Sequence, residues 1–297
     1  MTTFTRTNTE FQSDGLTCRA WHYQPMKGSG AAIVMAHGLG GTRDAGLEPF
    51  AEGFAAKGYH VVLFDYRHFG ASDGQPRQLL SIGRQLADWK AAVAHTRRLP
   101  GVDARRIGLW GTSFSGGHVI ATAANDPSIA ATVAQNPMVD GLAATLNVGA
   151  YAGLGRLLRF AAYALADQTR ALFGLSPVTF PIAAAEGSFG ALASHDSMRY
   201  IRFTPPDWRN EMTARVMLTL ASYRPIAKAR RLQKPLLLQA CMKDSVCPVE
   251  ATLKLARKVG PLAEVRRYPI GHFDIYVDEH RDMALADQLA FFARHLR

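Results

Sequence analysis

The chain has 297 residues, of which 48% are hydrophobic and 20% are charged, a balance typical of a folded globular protein that argues against disorder. This length is compatible with two average domains or with one large α/β domain that carries an insertion, and we expect the second arrangement. The net charge of +10 comes from 34 basic and 24 acidic residues, but the arginines are scattered, so we expect no nucleic-acid partner.

The first ten residues are polar and rich in threonine, without the basic start and apolar stretch of a secretory signal, so we expect no export by that route. The most apolar region, residues 143–175, is interrupted by charged residues, and we therefore expect no membrane span. The three cysteines, Cys18, Cys241 and Cys247, are an odd number in a chain of this size. Free thiols in a reducing cytoplasm are the interpretation that this pattern favours.

Short apolar runs rich in β-branched residues alternate with helical patterns through most of the chain. This alternation predicts a mostly parallel central sheet with helices on both faces. Residues 16–23, which follow the turn-like Ser13-Asp14-Gly15, predict an antiparallel edge strand before the alternation begins. The central strands are predicted at residues 31–36, 60–64, 107–110, 130–135, 235–240 and 263–268.

Three of the predicted helices show apolar residues three and four positions apart, which gives each helix one side that faces the core. The first of these helices ends at Gly58, a residue suited to a left-handed cap. The second ends at Leu99-Pro100-Gly101, and the third lies at the C-terminus. Their apolar stripes are Leu47, Phe50 and Phe54; Ile82, Leu86, Trp89 and Val93; and Leu285, Leu289, Phe292 and Leu296.

The alternation stops between residues 138 and 225, in a stretch rich in Ala, Leu and Gly. A loop of that length without structure would be implausible in a compact domain. We therefore predict a mainly helical cap insertion at 138–225, between a first core part at 1–137 and a second core part at 226–297. Because it follows a strand of the sheet, the cap is expected near the carboxyl ends of the strands, where open α/β sheets bind ligands.

The sharpest local motif is Gly111-Thr112-Ser113-Phe114-Ser115, between an apolar strand and the apolar helix that begins near Val119. It resembles the nucleophile elbow of the α/β-hydrolases, in which a serine sits on a strained turn between small residues. Ser115 replaces the last glycine of the G-x-S-x-G pattern, so a second register centred on Ser115 is also open. We favour Ser113 as the nucleophile because it follows the strand directly.

The segment His37-Gly38-Leu39-Gly40-Gly41 follows the first central strand and is similar to the oxyanion-hole loop of the same superfamily. It matches neither the P-loop nor the dinucleotide-binding glycine pattern. The resemblance implies that the backbone amides of Leu39 and Phe114 stabilise the negative charge that develops on an attacked carbonyl oxygen.

A serine hydroxyl needs a neighbouring base, and the base needs a third group to orient it. Asp244 and His272 each follow a predicted strand, in the order Ser, Asp, His that this fold uses. We therefore predict His272 as the general base and Asp244 as the acid that orients it. Asp140 is the alternative acid, whereas Asp274 is close to His272 in sequence and less suited to reach its far nitrogen.

Other polar residues invite structural interpretations. The loop Asp65-Tyr66-Arg67-His68-Phe69-Gly70-Ala71-Ser72-Asp73-Gly74 resembles the D-x-R-x-x-G-x-S-x-G loop of the family, whose charges brace the region beneath the site. A catalytic use of Asp65 or Arg67 is the alternative. His118 is interpreted as a packing residue. No H-E-x-x-H pair occurs, and Cys241 and Cys247 lack companion ligands at zinc spacing, so we predict no metal and no cofactor.

Together these motifs resemble the α/β-hydrolase superfamily, especially members close to dienelactone hydrolases, the X-Pro dipeptidyl-peptidase group and fungal polyketide transferases. The resemblance implies a serine hydrolase that works through an acyl-enzyme on Ser113. With an apolar cap, the expected partner is a small-molecule carboxylic ester or thioester with an apolar part. Acyl transfer, amide or peptide cleavage, and a non-catalytic ligand-binding module are the alternatives. A homo-oligomer is left open.

Overall fold

The computed structural model describes residues 3–297 and has an eight-stranded sheet at its centre, with a second, two-stranded sheet beside it. The ten strands, in chain order, are β1 (Phe4–Ser13), β2 (Leu16–Pro25), β3 (Ala32–Ala36), β4 (His60–Phe64), β5 (Ile107–Thr112), β6 (Ala131–Gln135), β7 (Thr179–Phe180), β8 (Met212–Thr213), β9 (Leu236–Cys241) and β10 (Ala263–Tyr268). Strands β3 to β6 and β9 are buried along their whole length, as expected for short apolar runs in the middle of a covered sheet.

The large sheet has the strand order β1-β2-β4-β3-β5-β6-β9-β10. In the large sheet, each pair of neighbouring strands from β4 across to β10 is parallel, which confirms the predicted mostly parallel sheet. The predicted edge position of residues 16–23 is wrong, because β1 pairs antiparallel with β2 along ten residues and forms the edge itself. Most of β1 is exposed, so it lacks the apolar run that marks the inner strands.

Residues 3–297 contain seven α-helices: α1 (Glu48–Ala56), α2 (Ile82–Thr96), α3 (Phe114–Ala123), α4 (Gly141–Leu172), α5 (Met217–Leu220), α6 (Val249–Val259) and α7 (Asp278–His295). Two buried apolar clusters lie on opposite faces of the sheet. One contains Trp89 of α2 and Val119 of α3, and the other contains Phe50 of α1 and Phe292 of α7. The predicted cover of helices on both faces is therefore confirmed.

The cap segment, residues 138–225, lies in the chain between β6 and the strand β9 that pairs with it. Most of its regular structure is α4, which bends at Gly153 (φ 79°, ψ 169°). The remainder contains β7 and β8, the short helix α5 and a 3₁₀ helix over Ser197–Phe203. Within residues 3–297, no helix combines the length and the apolar character needed to cross a membrane.

Candidate active site

Ser113 stands alone between the end of β5 and the start of α3. Its φ of 54° and ψ of −118° are strained for a residue with a side chain, and such strain persists only where the surroundings enforce it. A β-carbon at Gly111 would lie 2.4 Å from the carbonyl oxygen of Ser115, and one at Gly117 would lie 2.3 Å from that of Met138. The turn therefore requires small residues on both sides of the serine.

The structure brings the three residues of the predicted triad together. Nε2 of His272 lies 3.0 Å from Oγ of Ser113, and Nδ1 of the same ring lies 2.7 Å from Oδ2 of Asp244. Because a carboxylate only accepts hydrogen bonds, Nδ1 of His272 donates to Asp244. The neutral ring then presents Nε2 as an acceptor to the hydroxyl of Ser113, which is the arrangement that a general base needs.

Two opposing effects act on the His272 ring. Burial disfavours the imidazolium, but the adjacent Asp244 carboxylate favours it, and the net result is a His272 pKa well above its usual value. Asp244 is itself fixed, since its Oδ1 accepts the backbone amides of Val246 at 2.8 Å and Cys247 at 2.7 Å. The acid and the imidazole therefore reach each other without rearrangement.

The alternative candidates lie in other surroundings. Ser115 is fully buried, and its hydroxyl lies 2.9 Å from that of Tyr66. Asp140 caps the N-terminus of α4 and makes two hydrogen bonds of 2.9 Å with Arg224. Oδ2 of Asp274 accepts the backbone amide of Gly271 at 2.9 Å. Within residues 3–297, none of these three side chains bonds to the His272 ring.

The predicted oxyanion loop passes directly over Ser113. A β-carbon at Gly38 would lie 3.1 Å from Cβ of Ser113 and 3.6 Å from its Oγ. Leu39 and Phe114 line the same cavity as Ser113. Nδ1 of His37 donates to the carbonyl of Gly38 at 3.0 Å, which fixes the peptide plane that carries the Leu39 amide. The loop thus lies against the serine, with the peptide plane between Gly38 and Leu39 held by His37.

The sequence reasoning missed Asn136, which follows β6 and has a φ of 33°. Its Nδ2 donates to the carbonyl of His272 at 2.9 Å, and its Oδ1 accepts from Thr112 at 2.9 Å. The end of β6 also holds the serine, since the carbonyl of Gln135 accepts the Ser113 amide at 2.9 Å. Asn136 therefore joins the turn that carries Ser113 to the loop that carries His272.

Two cavities meet at Ser113. The larger, of about 820 Å³, extends into the cap segment and is lined mainly by apolar side chains, among them Val148, Phe160 and Met217. The smaller, of about 350 Å³, lies on the side of His272 and is lined by Tyr200 and Tyr276.

Cys247 lies closer to the site than its sequence position indicated. Candidate ligand atoms of Asp244, Cys247 and His272 all lie within 4.8 Å of one another. The thiol faces the large cavity, and burial raises its pKa. The carboxylate and the imidazole of this cluster bond to each other.

The loop at 65–74 has bracing contacts of the kind that the resemblance implies. The carboxylate of Asp65 accepts the backbone amides of Arg43 at 2.7 Å and Ala71 at 3.1 Å. Burial raises the pKa of Asp65 to about 6. Arg67 is buried and pairs with Asp88 at 2.6 Å.

His118, interpreted as a packing residue, is fully buried, and burial lowers its pKa to about 3.

The chain is similar to known proteins over most of its length. The family described as Hydrolase_4 (Serine aminopeptidase, S33) matches residues 28–279. The quorum-quenching protein AidA of Acinetobacter baumannii is 42% identical over 289 residues, which cover 96% of this chain and 93% of AidA. The thiohydrolase aneE of Aspergillus aculeatus is 29% identical over 248 residues, covering 81% and 77% of the two chains. The crystal structure of the alpha/beta hydrolase GrgF from Penicillium sp. sh18 has a TM-score of 0.84 at 26% identity, covering 98% and 99%.

Proposed function

This chain is an α/β hydrolase of the serine aminopeptidase S33 family, an esterase- and thioesterase-like serine hydrolase, and we propose that it cleaves esters or thioesters of apolar acids through an acyl-enzyme on Ser113. One observation carries this proposal. The hydrogen-bonded series from Ser113 through His272 to Asp244 lies where a large apolar cavity meets a small one.

In the proposed reaction, Oγ of Ser113 attacks the substrate carbonyl carbon while Nε2 of His272 takes the hydroxyl proton. The amides of Leu39 and Phe114 stabilise the charge on the carbonyl oxygen, and loss of one such donor typically costs about 2.7 to 4 kcal/mol of barrier. His272 then returns the proton to the leaving alcohol or thiol. Water, activated by the same ring, releases the acid and restores the serine.

The two cavities support one orientation of the substrate. The leaving group has to receive a proton from His272, and the small cavity is the one that this ring lines. The acyl part then occupies the large apolar cavity beneath α4. An acid with an extended apolar chain would bury most of its surface there, which is the main source of affinity for such a ligand.

Esters and thioesters are favoured over amino-terminal peptide substrates, although the family name refers to an aminopeptidase. A free substrate ammonium needs an anionic partner when it leaves water. In the described part of the chain, neither cavity is lined by a carboxylate. The thiohydrolase relative supports inclusion of thioesters.

Acyl transfer is a second candidate, and the small cavity favours it. Its lining contains the aromatic rings of Tyr200, Phe273 and Tyr276, against which an acceptor could be held beside His272. An acceptor alcohol or amine bound there would replace water in the second half of the reaction. Product analysis with and without added acceptors distinguishes transfer from hydrolysis.

The proposed site is tested by intact-mass analysis after exposure to a fluorophosphonate, with wild-type protein, Ser113→Ala and Ser115→Ala. We expect one adduct, lost only in Ser113→Ala, and matching loss of turnover on a panel of aryl esters, thioesters, lactones and peptide anilides. An adduct that survives in Ser113→Ala would refute the assignment. Absence of adduct and turnover in wild-type protein, with saturable binding of an apolar ligand, would instead support a ligand-binding module.

We also propose a cytoplasmic location and no nucleic-acid partner. The three cysteines are free and buried, as expected where thiols remain reduced. Several arginines are paired with acids, for example Arg97 with Asp126 at 3.0 Å and Arg266 with Asp287 at 3.1 Å. Such pairing supports a solvated surface over a phosphate-binding one.

A further inference from the structure

One stretch of the cap segment touches all three loops of the proposed active site. We call residues 194–208 the strap; it contains the 3₁₀ helix Ser197–Phe203. Its polar side chains reach the oxyanion loop, the loop that carries Asp244 and the loop that carries His272. A cap that only covered the cavity would not require these contacts.

Two strap side chains bind carbonyl groups of the oxyanion loop. The hydroxyl of Tyr200 donates to the carbonyl of Leu39 at 3.0 Å, and Nε1 of Trp208 donates to the carbonyl of Gly40 at 2.9 Å. Because each peptide unit is planar, a fixed carbonyl fixes the orientation of its whole peptide plane. His37 holds the plane before the α-carbon of Leu39, and Tyr200 holds the plane after it. The direction of the Leu39 amide is therefore constrained from both sides.

The strap also binds the loops of the acid and the base. Asp196 accepts hydrogen bonds from the hydroxyls of Ser194, at 3.1 Å, and of Ser245, the residue after Asp244. A β-carbon at Gly271, next to His272, would lie 3.1 Å from Oδ2 of Asp196. Arg199 forms an ion pair with Asp274, whose other oxygen accepts the Gly271 amide.

The fit between the strap and the oxyanion loop leaves little room for adjustment. A β-carbon at Gly41 would lie 2.5 Å from the hydroxyl oxygen of Tyr200, and one at Gly46 would lie 3.1 Å from Cβ of Phe203. The Tyr200 ring stacks on that of Phe273, with centroids 5.7 Å apart, and packs edge-on against Trp208. Tyr200 is thus held by its neighbours at the position from which it binds Leu39.

We propose that Tyr200 and Trp208 are positioning residues that aim the Leu39 amide at the oxyanion, so that the cap segment contributes to the rate of the chemical step. This inference rests on the proposed function, since it presupposes a carbonyl attacked by Ser113. It goes beyond a lid role, because a lid would affect access and affinity, whereas these contacts act on the transition state. Interactions made only in the transition state change kcat and leave KM nearly unchanged.

The test compares Tyr200→Phe and Trp208→Phe with Tyr163→Phe, a matched control whose ring packs on Phe180 and Phe189 inside the cap segment. For both strap variants we expect kcat to fall by at least about tenfold. The upper limit is the 10² to 10³-fold decrease that follows complete loss of an oxyanion donor. KM should stay within about twofold of the wild-type value. Tyr163→Phe should behave like wild type. Thermal unfolding of each variant reports whether it is folded, and Trp208→Phe provides the test if Tyr200→Phe is not.

A trifluoromethyl ketone of the preferred acyl chain gives a second readout. Oγ of Ser113 bonds to its carbonyl carbon, the serine proton passes to His272, and the ketone oxygen becomes an oxyanion. Its inhibition constant should rise in Tyr200→Phe by the factor by which kcat/KM falls. If Ser113→Ala is inactive while Tyr200→Phe keeps wild-type kcat and inhibition, the strap inference alone is wrong. If wild-type protein has neither turnover nor a fluorophosphonate adduct, both proposals fail.

Discussion

The apolar cavity beneath α4 should discriminate between acyl chains by their length. Burying one methylene stabilises a bound chain by about 0.8 kcal/mol, which corresponds to roughly fourfold in kcat/KM at 25 °C. From acetyl to octanoyl, six methylenes give about 5 kcal/mol, an upper limit of a few thousandfold. The rise should stop when the apolar cavity is filled.

Narrowing this cavity should weaken the preference for long acyl chains. Ala144 lies on α4 and lines the cavity, whereas Ala150 lies on the same helix and is exposed. Ala144→Leu adds three carbon atoms, which displace about three methylenes of a long chain. We expect kcat/KM for the octanoyl ester to fall by up to about 60-fold, from three losses of about 0.8 kcal/mol each, while the acetyl ester is unaffected.

The assay is initial-rate hydrolysis of p-nitrophenyl esters from acetyl to dodecanoyl, with wild type, Ala144→Leu and Ala150→Leu. Ala150→Leu is the control for a larger side chain on the same helix, and its chain-length profile should match that of wild type. A flat wild-type profile would show that the acyl chain does not enter the cavity. Equal effects of both substitutions at every chain length would show that Ala144 does not line the acyl site.

Three further predictions concern the acid, a buried histidine and the elbow. Asp244→Asn should lower kcat by roughly 10⁴-fold. It should also move the acid limb of the pH profile of kcat/KM to lower pH, because the carboxylate that raises the pKa of His272 is lost. Asp140→Asn should keep its turnover. The pKa of His118 is about 3 in the folded protein, so as the pH falls below about 6.5 this residue is protonated in the unfolded chain before it is protonated in the folded one. His118 therefore accounts for a loss of about 2 to 3 kcal/mol in the free energy of unfolding between pH 7 and 4.5. In urea unfolding, the free energy of His118→Phe should fall by that much less over the same pH range. Gly111→Ala should destabilise by about 1 to 3 kcal/mol in the same assay and slow fluorophosphonate labelling, whereas Gly83→Ala, with nothing within 4 Å, should not. Three results would contradict this reasoning: wild-type kcat in Asp244→Asn, a wild-type pH dependence of stability in His118→Phe, or wild-type stability and labelling in Gly111→Ala.

The inner part of the fold was predictable because its signals are local. Each buried parallel strand is a short apolar run, and the strand at 60–64 was predicted with its observed bounds. The strand β1 was not predicted, since it pairs through its backbone with β2 and leaves most side chains in water. A strand held mainly by backbone hydrogen bonds has no apolar pattern to reveal it.

The residues of the proposed triad were also identifiable, because each one lies at the start of the segment that follows a strand. Parallel strands end at the same edge of the sheet, so residues that are distant in sequence meet there. Asn136 obeys the same rule but is an amide without a nucleophilic or acid-base role, and nothing in the sequence distinguished it. Cys247 was missed for a different reason, because spacing in the sequence does not show that its thiol points toward His272.

The strap could not have been predicted, since its function depends on contacts across long stretches of chain. Tyr200 bonds to a carbonyl 161 positions away, and Trp208 to one 168 positions away.

Polar contacts also anchor the cap segment. In the sequence, the residues that make these contacts are seen only as charges that interrupt an apolar stretch. Asp167, one of the charges within an apolar run, is fully buried and accepts two hydrogen bonds from the guanidinium of Arg215, at 2.7 and 2.9 Å. Removing one partner of such a pair leaves an uncompensated buried charge, so the pair opposes displacement of α4 from the rest of the cap. An anchored cap can hold Tyr200 at a fixed distance from Leu39, which a freely moving lid could not do.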